Sequence, residues 1–138
     1  MSREAAYAAL FAQLATVPVK TSSRRLRLLE EIGPAELPAL FMTVDRQHVE
    51  PRPRGLPPKH TLGALVYLYA ANPDPHQPAG SLLNDLIDAV EAALTPVSGP
   101  ETLGGIVAHC WIEGAVVVFE APKGQRAAAI VPIHMLVP

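Results

Sequence analysis

Near the start of the chain, apolar side chains recur at Tyr7, Leu10, Phe11 and Leu14, the i, i+3, i+4, i+7 spacing of one helical stripe. This predicts an amphipathic helix over 2–15. Ser2 can cap it by accepting from an unpaired N–H of the first turn, Glu4 suits its positive end, and Pro18 follows as a stop. Over 60–71 the period changes to two. Leu62, Ala64, Val66 and Leu68 fall on one face of a strand, and Leu65, Tyr67 and Tyr69 on the other. Both faces are apolar, so both should be covered, by helices on one side and by a neighbour on the other. The helical period returns from Ser81 to about Leu94. Leu83, Leu86, Ile87, Val90, Ala93 and Leu94 line one side, Asn84, Asp85, Asp88 and Glu91 the other, and Pro96 closes the helix.

The remaining segments are shorter. Ser23–Leu29 alternates charge as a short strand or extended arm would, Gly33-Pro34 marks a turn, and 38–46 reads as a strand that Pro38 can only begin or edge. Pro51, Pro53, Pro57 and Pro58 stiffen 47–58 without regular structure, so 45–59 is expected to be a long projecting hairpin arm. A Pro-rich loop spans 72–80. Three strands follow, at 106–113, 115–121 and 126–137. Gly114 predicts a tight hairpin between the first two, and Pro132 predicts an edge position or a bulge for the third. The order α-β-β-β-α-β-β-β implies an α+β fold. We expect a single domain over 1–138: a mostly antiparallel or mixed β-sheet, two helices packed on it, and a projecting hairpin arm.

Composition narrows the class. The 138 residues are 49% hydrophobic and 17% charged, which excludes intrinsic disorder and leaves enough apolar material for one core. Net charge is −2, so no global basic field draws in nucleic acid. The charge is uneven. Residues 1–60 hold nine Lys/Arg against six Asp/Glu, whereas 61–138 hold two against seven. The basic excess sits in Lys20–Arg27 and Arg46–Lys59, and such asymmetry suits head-to-tail contact between copies. One cysteine, Cys110, gives no disulfide framework. The N-terminus lacks the apolar run of a secretory signal, and no apolar stretch is long enough for a bilayer, so a cytoplasmic origin is expected.

Candidate chemistry is sparse. His109-Cys110 are adjacent on a strand and should diverge to opposite faces, which argues against a nucleophile and base pair. The histidines His48, His60, His76, His109 and His134 have no metal-ligand spacing. No phosphate-cradling glycine pattern occurs. Arg24-Arg25-Leu26-Arg27 could touch phosphate but lacks the interleaved aromatics of a stacking platform. No catalytic residue, cofactor or metal is therefore expected.

The second half of the chain carries Gly80-Ser81-Leu82-Leu83-Asn84, Ile87–Leu94, Thr102-Leu103-Gly104-Gly105, His109–Gly114 and a final alternating strand through Ile130-Val131-Pro132-Ile133. With the Ala-rich first helix, Ser23-Arg24-Arg25-Leu26 and Pro38-Ala39-Leu40-Phe41, this order resembles that of tail terminator proteins of long-tailed bacteriophages and prophages. The resemblance implies a small α+β subunit that is not an enzyme and needs no cofactor. It implies a hexameric ring on the head-proximal end of the tail tube, which ends tube polymerisation and offers a head-attachment surface. Expected partners are further copies, the tail tube protein and a head-completion or neck protein, with the tape measure protein as a further candidate. Expected location is the virion tail, assembled in the host cytoplasm, without membrane contact. Nucleic acid would be met only as the genome passes.

A ring needs two different patches per subunit that close by rotation. Candidates for them are the basic residues Arg24, Arg25, Arg27, Arg46, Arg52, Arg54 and Lys59, the acidic Asp85, Asp88 and Glu91, and an apolar strand face at Val117 and Phe119 or at Tyr67 and Tyr69. Competing readings are a neck protein of the same virion, a free-standing oligomeric binding module, and a small enzyme with an interface site at His109 or His134.

Overall fold

The computed structural model describes residues 2–137, with two helices and one six-stranded sheet. Helix α1 runs Arg3–Gln13, capped as the sequence suggests: the Ser2 hydroxyl accepts from the Ala5 N–H at 3.1 Å. Tyr7, Leu10 and Leu14 are buried. Strand β1 (Thr21–Ser23) is followed by an irregular segment, 24–38, with two short 3-10 turns, and then by β2 (Ala39–Glu50) and β3 (Lys59–Ala71). Helix α2 (Ala79–Ala93) precedes β4 (His109–Ile112), β5 (Val117–Glu120) and β6 (Arg126–Val137).

The strand order is β1-β2-β3-β6-β4, with β5 also on β6. The β1/β2 pair is parallel and the rest antiparallel, so the sheet is mixed. The helices cover the inner face, where Leu62, Ala64, Val66 and Leu68 of β3 meet Val131, Ile133 and Met135 of β6 and Leu83, Leu86 and Val90 of α2. Alternation in β6 is complete, with every second residue from Ala127 to Val137 buried. The outer face is covered at one end only. There Leu26, Leu29, Ile32 and Leu37 fold over Ala39, Phe41 and Tyr69 as a second, smaller core.

Several expectations change, beginning with the strand expected over 38–46, which runs on to Glu50, so that 47–50 is regular. The 23–29 stretch is neither strand nor arm beyond Ser23. Its leucines pin it across the sheet, and the Tyr69 hydroxyl donates to the Arg27 carbonyl at 2.8 Å. Cover for the outer face thus comes from the chain itself, and only over part of it. Helix α2 begins at Ala79, two residues before Ser81, because its first turn is capped from elsewhere. Ala79 N–H donates to the Gly124 carbonyl at 2.7 Å and Gly80 N–H to the Glu120 carboxylate at 3.3 Å.

The β4/β5 hairpin does not form. Both strands lie along the same edge of β6, β4 on Ile133–Leu136 and β5 on Ala127–Ile130. Nor is β6 an edge strand, since it lies between β3 and β4/β5. Pro132 explains the gap between its two edge partners. In an antiparallel ladder a residue's N–H and C=O point to the same neighbour. The Pro132 carbonyl faces Glu113 N–H at 3.4 Å, so its missing donor faces that edge, and the edge strand is interrupted there.

Candidate functional site

The β2/β3 hairpin outruns the sheet. β1 pairs with β2 only as far as Phe41, and β6 leaves β3 at His60 opposite Val137. The hairpin continues to Glu50 opposite Lys59, and residues 46–59 are all exposed. Its tip turns at Arg54 (φ 58) and Gly55 (φ 71), with Leu56 N–H reaching the Pro53 carbonyl at 3.4 Å. Two consecutive positive φ values are the signature of a type I′ turn, whose twist matches that of a hairpin. Arg52 Nε donates to the Pro57 carbonyl at 2.6 Å and braces the loop.

The root of the arm is fixed by a bulge. The β2 register shifts between Val44 and Gln47, which turns the Arg46 carbonyl onto Gly63. A Cβ at 63 would lie 2.6 Å from that oxygen, so only glycine fits. Beside it, Arg3 Nε donates to Gln47 Oε1 (2.8 Å), Gln47 Nε2 to the Tyr7 hydroxyl (3.3 Å), and that hydroxyl to the Gly63 carbonyl (2.8 Å). Helix α1 thereby clamps the base of the arm.

The candidate basic residues divide into two groups. Arg46, Arg52, Arg54 and Lys59 gather on the arm, all exposed. Arg24 and Arg27 are engaged within the chain. Arg24 pairs with Glu4 and lies 5.9 Å from the Tyr7 ring centroid, while Arg27 bonds both oxygens of Glu36 at 3.1 Å. Arg25 is exposed and lies apart from the arm group in the chain. Asp85, Asp88 and Glu91 are exposed on the solvent side of α2, over the inner face of the sheet.

The apolar candidates, which the sequence offered as alternatives, come together. Val117 and Phe119 of β5 pair with Ile130 and Ala128 on the outer face, beside Tyr67 and Tyr69. With Leu29 and Glu30 they line a groove of about 260 Å³. Val117 and Phe119 are 56% and 57% exposed, unusual for large apolar side chains in a strand. Arg126 Nη1 donates to the carbonyls of Leu29 (2.8 Å) and Ile32 (2.9 Å), holding the covering segment in place beside the groove. Burial pushes the Tyr69 hydroxyl pKa up, with further contributions from Tyr67, Glu30 and Glu31.

His109 and Cys110 diverge as expected. Cys110 is buried, and burial, with Glu101 adding to it, pushes its thiol pKa up to about 12, so it is neutral and unreactive near neutral pH. His109 lies on the outer face, where it stacks on Trp111 at 4.8 Å and Trp111 on His134 at 5.8 Å. Neither this stack nor the groove was assembled by sequence reasoning. The His109/Trp111 spacing of two on a strand was the one local signal available for the stack. A cleft of about 410 Å³ beside the end of α2 is lined by Glu91, Glu101, His109 and Trp111 among others. Among the described residues, no group of three or more His, Cys, Asp and Glu is arranged to hold a metal ion, and no helix is long and apolar enough to cross a membrane.

The surface thus presents a basic projecting arm, an acidic helix flank and a partly exposed aromatic groove. No family model and no curated protein matches the chain. Among solved structures, it is similar to a chain described as "Virion of native gene transfer agent (GTA) particle", with a TM-score of 0.50 and 12% identity over 94% of this chain and 84% of that chain. At this identity the likeness concerns the fold.

Proposed function

We propose that this chain is a structural, non-enzymatic protein of a phage-like virion. More narrowly, it is a tail terminator that forms a ring on the head-proximal end of the tail tube, ends tube polymerisation and presents the head-attachment surface. The observation that carries the reading is the likeness in fold, across 94% of the chain, to a chain from a gene transfer agent virion. The sequence resemblance to tail terminators points the same way. The surfaces suit the role, because a closed ring uses two unlike patches per subunit, and the basic arm with either the acidic helix flank or the aromatic groove supplies such a pair. The partners of this reading are further copies of the chain, the tube protein and a head-completion or neck protein.

The test is electron microscopy of particles made with and without the chain. Without it, tails of unregulated length are expected; tails of normal length would overturn the terminator role. A ring found on the head side of the neck would instead assign the chain to the connector. Deleting 48–57 should leave a folded subunit that no longer caps tubes.

A further inference from the structure

We propose that the arm tip of one copy, Pro51–Lys59, seats in the aromatic groove of the next copy, between Phe119 and Val117 on one side, Tyr67, Tyr69 and Ile130 beneath, and Glu30 at the rim. The inference rests on the reading that copies of this chain assemble side by side, and it names the contact that joins them.

Geometry makes the contact intermolecular. The arm leaves the sheet where His60 pairs with Val137, whereas the groove lies at Tyr67 and Tyr69, seven to nine residues along the same strand. At roughly 3.3 Å per residue the two are about 23–30 Å apart, and the arm points away from the groove. Donor and acceptor therefore sit at opposite ends of one rigid strand, the arrangement of a heterologous interface.

Chemistry matches the two patches. The tip exposes Leu56 (54%) among four prolines and carries Arg52, Arg54 and Lys59. Proline-rich backbone is already extended, so ordering it costs little, and aromatic-lined grooves are its usual acceptors. The groove supplies the Phe119 and Tyr67 rings together with Ile130 and Val117, with the buried Tyr69 at its floor. Its rim carries Glu30, and Glu31 follows, an acidic counterpart to the basic tip. The helix flank at Asp85, Asp88 and Glu91 offers the same charge beside an exposed Leu82, but it lies on the other side of the sheet.

The test is cross-linking of the full chain with a short bismaleimide. Leu56→Cys with Phe119→Cys in one chain should give a ladder of oligomers, because each copy then carries both halves of a repeating contact. Either single variant should give a dimer at most. Cys110 is buried and stays out of the reaction. Leu56→Asp and Phe119→Arg, both at exposed positions, should each weaken self-association at least tenfold by sedimentation equilibrium while leaving the monomer folded. A ladder from Leu56→Cys with Asp88→Cys, and none from the Phe119 pair, would place the arm on α2 and overturn the groove while leaving ring assembly intact. No ladder from either pair, in concentrated protein and in isolated particles, would overturn the contact; the terminator role is judged separately, by tail length.

Discussion

The two faces of the sheet are built to different ends. The inner face is closed by α1 and α2, and Leu10, Leu62, Leu68, Leu83 and Ile133 have essentially no exposure. The outer face is closed only where residues 26–37 fold over Phe41 and Tyr69, and it leaves Val117, Phe119 and part of Tyr67 to solvent. Both faces are apolar, yet one spends that surface on folding and the other leaves part of it to solvent. The inner face should therefore govern stability, and the open part of the outer face should contribute little to it.

The most direct way to break that division is a matched pair of truncations. Leu83→Ala removes a fully buried side chain between α2 and the sheet, and should destabilise the fold by about 2–5 kcal/mol. Phe119→Ala removes more atoms from a half-exposed position and should cost only about 0.5 kcal/mol or less. Chemical denaturation of both variants checks this. Equal losses would mean that the outer groove is part of the folding core.

A second test bears on the arm, which joins neither face. Gly63→Ala places a Cβ against the Arg46 carbonyl at 2.6 Å, so the bulge must open or the strands must shift. A loss of about 1–3 kcal/mol is expected, as for other forced overpacking. It should be accompanied by increased amide exchange at Asp45–Gln47, since the bulge is what aims the hairpin. Unchanged exchange there would show that the arm's direction does not depend on the bulge.

These contrasts also mark what the sequence could reveal. Both helices and β3 were legible because their periodicity is local, and Ser2 capped α1 as its position suggested. The arm was legible from its prolines. What escaped depends on residues far apart in the chain. The start of α2 is set by acceptors at Glu120 and Gly124, and the shared edge of β4 and β5 by the donor that Pro132 lacks. Tyr67 and Phe119 were each noticed as exposed apolar candidates, but only the pairing of β5 and β3 on opposite sides of β6 makes them one groove. Arg24 and Arg27, offered by the sequence as interface charges, pair within the chain, Arg24 with Glu4 of α1 and Arg27 with Glu36 of its own segment, contacts that no local pattern announces.

A smaller effect sharpens the boundary between the covered and open halves of the outer face. Tyr69→Phe keeps the ring that packs on Phe41 at 5.5 Å but deletes the donor to the Arg27 carbonyl. The expected cost is about 0.5–1.5 kcal/mol. Proteolysis should first cut within 26–37, while the inner face stays protected. Uniform loosening of the whole sheet would mean that the covering segment and the inner core unfold as one unit.

The smallest effect is a pH dependence confined to the same segment. The Arg27 guanidinium, with the Gly33 N–H assisting, holds the Glu36 carboxyl below its ordinary range. A carboxyl lowered in the folded state stabilises fully above its unfolded value, near 4.3, and loses that contribution as pH falls through the folded value. The pair is exposed, so near neutral pH Glu36→Gln should barely change global stability. Below about pH 4 the wild-type amides of residues 26–37 should lose protection ahead of β3 and β6, and the Gln variant should lack that pH-dependent step because its side chain does not titrate. If the variant kept the step, the acid-sensitive contact would lie elsewhere, and the outer cover would rest on its leucines and Tyr69 alone.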